Sequence, residues 1–224
     1  MPDYQADDNK LTLKVVFYGP ALSGKTTNLM QLHSLLNPER KGELMVLETR
    51  DDRTLFFDML PIGLRGVSGL DLRLKLYTVP GQVQHDSTRK AVLSRADGVV
   101  FVADSQPSQQ DNNATAFGNL EENLEKVGLD IDSLPMVVQF NKRDLPSVVD
   151  ESELQQRWSA TPWSPLMMAS ALHGQGVIES FKALLDRLYT DISEEFALEL
   201  EHGIHRRAFI DGLSASHEVD RAKL

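Results

Sequence analysis

Apolar and polar positions along the chain follow two periods, one of about two residues and one of three to four. Leu11-Thr12-Leu13-Lys14 alternates and Val15-Val16-Phe17-Tyr18 is continuously apolar, which predicts a strand from Leu11 to Tyr18. Gly19 to Thr26 breaks that pattern, Thr27 to Leu36 continues at helical spacing, and Asn37-Pro38 ends the helix. A second strand is expected from Leu70 to Val79, with Leu72, Leu74 and Leu76 on one face and Arg73, Lys75 and Tyr77 on the other. Val99 to Ala103 and Pro135 to Phe140 are near-continuous apolar runs, as parallel strands covered on both faces require, and Pro165 to Ala169 is a weaker one. Helical stretches lie between them. Ala114 to Val127 carries Phe117, Leu120 and Leu124, and Val177 to Tyr189 carries Ile178, Phe181, Leu184, Leu185 and Leu188. Strands alternating with helices of this length predict an α/β domain with a mostly parallel, doubly wound sheet. Ligands of such sheets sit beyond the carboxyl ends of the strands.

The chain's 224 residues suit one such domain over 11–190, preceded by a polar segment at 1–10 and followed by an extension at 191–224. A formal charge of −10 argues against nucleic acid as a partner and against docking on anionic lipid, since both need a basic surface. The absence of cysteine leaves no residue for disulfides, thiolate metal sites, prenylation or palmitoylation. Met1-Pro2-Asp3-Tyr4 offers neither a signal core nor the glycine of a myristoylation site, and no apolar run approaches the roughly 18 residues of a spanning helix. A cytoplasmic protein without a lipid anchor is expected.

Chemistry begins where the first strand stops. Gly19-Pro20-Ala21-Leu22-Ser23-Gly24-Lys25-Thr26 fits the phosphate-loop pattern in its required place, with a strand before it and a helix after it. Backbone N–H groups of this loop and of the first helical turn, through Thr27, would cradle a polyphosphate. Gly24 permits close approach of the backbone, Lys25 would neutralise the β- and γ-phosphates, and the Thr26 hydroxyl would bind Mg²⁺. The loop alone does not choose a base. Asn141-Lys142-Arg143-Asp144 follows the strand ending at Phe140 and supplies that choice: the Asp144 carboxylate can accept from both N1–H and N2–H of guanine, a donor pair that adenine lacks. Lys142 can lie over the base plane and Asn141 can brace the loop. Ser170-Ala171-Leu172, after the last strand, is placed to offer a backbone N–H to guanine O6.

The spacing of these three segments resembles that of the Ras-like small GTPases. It implies a P-loop NTPase fold, a three-layer sandwich around a mostly parallel six-stranded sheet, here with a C-terminal helical extension. The strings DRTLFFDMLP, LYTVPGQV, DGVVFVADSQ and NKRDLP narrow the resemblance, over about Leu11 to Leu188, to the MglA group of bacterial small GTPases. That resemblance implies a GTP-hydrolysing switch in motility or polarity, concentrated at a cell pole, that binds effectors in its GTP state. It further implies a Roadblock/LC7-type, MglB-like activator. Carried over by position, Thr54 would contact Mg²⁺ and the γ-phosphate, Gly81 would lie at the nucleotide, Gln82 would orient the attacking water, and Arg53 would be an arginine finger supplied in cis. Arg50 is a weaker candidate for that last role.

Two departures matter. Thr78 stands where most Ras-like proteins have a metal-directed Asp, and Ala21 stands where they have glycine. A Cβ at Ala21 would crowd the γ-phosphate and slow hydrolysis. A hydrolysis-poor GTP-binding interaction module is therefore an alternative reading. A P-loop ATPase or kinase using Asp104 as its metal carboxylate is another, which the NKRD string disfavours; by resemblance Asp104 has a structural role. In the extension, Ile192, Phe196, Leu200 and Ile204 recur every fourth residue, predicting a helix packed back on the domain or offered to a partner, with a mostly disordered tail as the remaining alternative. His202, His205 and His217 make a weak case for a metal site.

Overall fold

The computed structural model describes residues 2–47, 57–65, 68–80 and 86–216. Eight strands form one sheet in the order β3-β4-β5-β2-β6-β7-β8, with β1 paired to β2 off that path. The strands are β1 (Asp3–Gln5), β2 (Lys10–Tyr18), β3 (Met45–Leu47), β4 (Phe57–Arg65), β5 (Asp71–Thr78), β6 (Gly98–Asp104), β7 (Met136–Asn141) and β8 (Met167–Met168). The helices are α1 (Lys25–Leu35), α2 (Asp86–Leu93), α3 (Gln110–Lys126), α4 (Glu151–Trp158), α5 (Val177–Ile192) and α6 (Arg206–Ser214).

From β5 through β2, β6 and β7 to β8 every pairing is parallel, while β3–β4, β4–β5 and β1–β2 are antiparallel. The five strands located in the sequence are present as β2, β5, β6, β7 and β8, and β4 together with two three-residue strands brings the sheet to eight rather than six. β1 occupies the flank of β2 at Lys10–Thr12, below the point where β6 begins pairing at Val15. A polar segment of so few residues carries no readable period, so pairing alone reveals it.

Side chains of β2 alternate between two cores. Leu11, Leu13, Val15 and Phe17 face α1, α5 and α6, together with Leu29, Leu32, Phe181, Leu184, Leu188, Phe209 and Leu213. Val16 and Tyr18 face α2, α3 and α4, among Val92, Leu93, Leu120, Leu124 and Leu154. Because helices cover both faces, β6 and β7 are buried at every position, which is why they read as continuous apolar runs. β5 keeps a strict alternation instead, with Arg73 and Lys75 exposed.

The extension departs from the single striped helix. α5 ends at Ile192, residues 193–202 run through turns, and α6 begins only at Arg206. Ala197 and Gly203 both have left-handed backbone, φ +43° and φ +63°, which an α-helix does not tolerate. Leu200 is left exposed, whereas Leu198, off the stripe, is fully buried.

Candidate functional site

The loop between β2 and α1 starts and ends at glycines that no other residue could replace without movement. Gly19 has φ +144°, and an added Cβ would stand 2.2 Å from the Val102 carbonyl oxygen. Gly24 has φ +100° and caps α1 without a side-chain hydrogen bond; a Cβ there would stand 2.2 Å from Asn141 Nδ2. Uncapped N–H groups at a helix start, with their partial positive charge, suit an anion. Leu22, also left-handed at φ +61°, is 89% exposed, and Ala21 and Thr26 are exposed beside it.

Lys25 is buried and donates from Nζ to the carbonyls of Gly19 (3.0 Å) and Pro20 (2.6 Å), closing the loop on itself. Burial first, and the charge of Arg89 second, pull its pKa down to about 8. A phosphate alongside would favour the charged form again. Beneath α1, Asn28 donates through Nδ2 to Gly24 O (3.0 Å) and accepts from Gln139 Nε2 (3.0 Å), which also donates to Ser180 Oγ (2.9 Å). Gln139 is the one polar residue before Asn141 in β7, and that interruption was the visible signal for this network.

Asn141 joins the loops. Its Nδ2 donates to Ser23 O (2.8 Å) and its Oδ1 accepts from Ala171 N (2.8 Å), so one buried amide holds the phosphate loop against the loop at 170–172. Asp144 lies exposed beyond it and accepts from Ser170 Oγ at 2.5 Å. That bond, ahead of other influences, holds the Asp144 carboxyl below its ordinary range, leaving it ionised as an acceptor. Leu172 is largely exposed next to it, and its carbonyl accepts from Gln31 Nε2 (3.3 Å). Gly19–Thr27, Asn141–Asp144 and Ser170–Leu172 thus converge at the carboxyl ends of β2, β7 and β8.

Lys142 makes a contact that its sequence position did not announce. Its Nζ pairs with Asp104 Oδ2 at 2.6 Å, while Asp104 Oδ1 accepts from Gln106 N at 3.0 Å. Both oxygens of this buried carboxylate are thereby engaged in holding the loop, which leaves the ATPase reading without its metal carboxylate. Thr78 is buried at the end of β5, in register with Phe17. Arg50, Arg53, Thr54, Gly81 and Gln82 lie outside the described residues, as does His217. His202 Nδ1 meets Ser68 Oγ (2.7 Å) and His205 Nδ1 meets Glu199 (2.9 Å); among the described residues no group of three His, Asp or Glu could hold a metal.

A sheet of this order with a phosphate loop after its central strand defines a Ras-like P-loop protein. The family model for the ADP-ribosylation factor (Arf) family matches residues 5–188. The mutual gliding-motility protein MglA of Myxococcus xanthus (strain DK1622) is 43% identical over 185 residues, covering 83% of this chain and 94% of that protein. The chain belongs to the MglA-type small GTPases, enzymes that bind and hydrolyse GTP. The turns after Ser193 and helix α6 lie beyond the residues matched by the family model.

Proposed function

We propose that this chain is a guanine-nucleotide switch whose site is the convergence of Gly19–Thr27, Asn141–Asp144 and Ser170–Leu172. The observation that carries the reading is the Asn141 amide bridging Ser23 and Ala171, which fixes a phosphate cradle and a base-reading carboxylate in one frame. Backbone N–H groups of Ala21, Leu22, Ser23, Gly24, Lys25, Thr26 and Thr27 hold the phosphates. Asp144, already ionised and oriented by Ser170, accepts from guanine N1–H and N2–H, and the Ala171–Leu172 backbone serves O6. Lys142, tethered by Asp104, keeps its stem beside the base.

The donor set fits Mg²⁺ better than a transition metal. Thr26 presents an exposed hydroxyl at the phosphate end of α1, and Mg²⁺ takes its remaining ligands from phosphate oxygens and water. Thr26 and Thr54 would hold the ion, which would supply positive charge to the phosphates. Gln82 orients the attacking water and Arg53 stabilises charge on the transferred group, a contribution of roughly 10³–10⁵ in rate for such a finger. Loss of the γ-phosphate releases the segments around Thr54 and Gly81, and effectors read that difference. Turnover is slow without a Roadblock/LC7-type, MglB-like activator that sets Arg53 and Gln82 in place. The likeness to the Myxococcus protein supports a role in gliding motility or polarity, in the cytoplasm and concentrated at a pole. None of the described helices is long and apolar enough to cross a membrane.

The test is base preference. Asp144→Ala should abolish the discrimination of GDP from ADP, weakening GDP at least about tenfold as its buried donors lose their partner. Unchanged GDP affinity and unchanged preference in a titration would refute the assignment.

A further inference from the structure

Arg89, on α2, is a buried cation that the proposed mechanism does not use. Only 2% of its surface is exposed, and its guanidinium sits 5.8 Å from the centre of the Tyr18 ring, with Nη1 donating to Tyr18 Oη at 3.3 Å. Among the described residues Nε and Nη2 have no hydrogen-bond partner, and no carboxylate pairs with the guanidinium. A buried, uncompensated charge is unfavourable by several kcal/mol unless something nearby supplies the opposite sign.

Its surroundings make the deficit larger. Tyr18 is the last residue of β2 and directly precedes Gly19, whose carbonyl takes the Lys25 ammonium. Two cations are therefore collected around the root of one loop, close enough for Arg89 to oppose the charge on Lys25. The Tyr18 hydroxyl that receives Arg89 also donates to Asn119 Oδ1 (2.5 Å) and accepts from Asn123 Nδ2 (3.3 Å), both on α3. Arg89 thus stands where the phosphate loop, α2 and α3 meet. α2 is also the helix that follows Gly81 and Gln82 in the chain.

We propose that Arg89 is a positioning residue for the nucleotide reaction: a phosphate seated in the loop Gly19–Thr26 supplies the countercharge that no described residue gives its buried guanidinium, and this locks α2 in its nucleotide-bound place. The proposal rests on the reading of that loop as the phosphate site. It distinguishes Arg89 from Lys25, which already has two carbonyl partners, and from surface arginines, which need none. Its consequence is that the nucleotide-free protein carries a strain in α2 that the bound form relieves.

The experiment compares full-length wild type with Arg89→Met and Arg89→Lys. Melting temperature is followed without nucleotide and with GDP or a non-hydrolysable GTP analogue, and affinities are titrated for both ligands. Arg89→Met should melt no lower than wild type when nucleotide-free, yet gain less from either ligand and bind the GTP analogue about tenfold more weakly or worse. Arg89→Lys should recover most of that affinity. In wild type, the Arg89 Nε–H resonance should become protected from solvent exchange when GDP is added, a measurement that stands even if a variant fails to fold. Equal losses of melting temperature with and without ligand, or wild-type affinity in Arg89→Met, would overturn the proposal and make Arg89 a structural partner of one of the chain's own groups. An Nε–H signal indifferent to GDP would do the same. Failure of wild type itself to bind GDP would instead strike the reading of the loop.

Discussion

Ala21 sits between Pro20, whose carbonyl holds Lys25 at 2.6 Å, and Leu22, which turns through φ +61° with its side chain in solvent. Ala21 is itself exposed, so its methyl group supports no core. Replacing it by glycine changes two quantities in opposite directions. Stability falls by about 0.4–1 kcal/mol, because the unfolded chain gains freedom. Single-turnover GTP hydrolysis should rise, by roughly threefold or more, if Gln82 and Arg53 have the catalytic roles proposed for them and the methyl group crowds the transferred phosphate. Equal hydrolysis rates in the two proteins would remove Ala21 from any account of turnover. At this scale the chain was partly legible. Glycines 19 and 24 could be read from the loop pattern, since a local turn demands them. The Lys142–Asp104 pair and the burial of Arg89 could not, because each depends on strands and helices that only the folded sheet brings together.

α6 shows how far an element can be inferred from period alone. Its Phe209 and Leu213 are fully buried in the core beside α5 and β4, and Phe209 packs at 5.5 Å on the Tyr189 ring. Contact with β4 is close enough that a Cβ on Gly212 would stand 2.7 Å from Leu64. Beyond α6, Asn37 N donates to Ala215 O at 2.8 Å, so the extension also reaches the end of α1. Apolar residues at every fourth position suggested one longer helix, but Ala197 and Gly203 leave helical backbone, and left-handed geometry at an alanine leaves no mark in the hydrophobic pattern. Two substitutions rank what holds α6 in place. Phe209→Ala should cost about 3–5 kcal/mol, through lost burial and the cavity left behind. Arg206→Ala removes a half-exposed ion pair with Asp186 (2.8 Å) and should cost about 1 kcal/mol or less. Urea denaturation measures both; comparable midpoints for the two variants would show that the surface contacts, rather than Phe209, anchor the extension.

For the molecule as a whole, the apolar runs of β2, β6 and β7 made the central parallel sheet readable, because strands buried on both faces have little freedom in composition. The antiparallel edge was less readable: β3 has three residues, and β4 carries Asp58, Pro61 and Gly63 within its length. The readable strands end at the loops of the candidate site, so one ligand can tie β2, β7 and β8 together through backbone that is otherwise held by a few polar contacts. Buried Lys25 and Arg89 add positive charge at that point in a chain of formal charge −10. Ligand binding should accordingly stabilise the entire fold rather than one loop. A ligand present at 100 times its dissociation constant adds about 2.7 kcal/mol to the native state. For a chain of this size that corresponds to roughly 5–10 °C in melting temperature. Protein stripped of nucleotide with EDTA and phosphatase should melt lower by about that amount, recover with GDP and Mg²⁺, and remain low with ADP and Mg²⁺. Recovery with both nucleotides would deny Asp144 its part in base selection, and recovery with neither would mean that no nucleotide joins these loops.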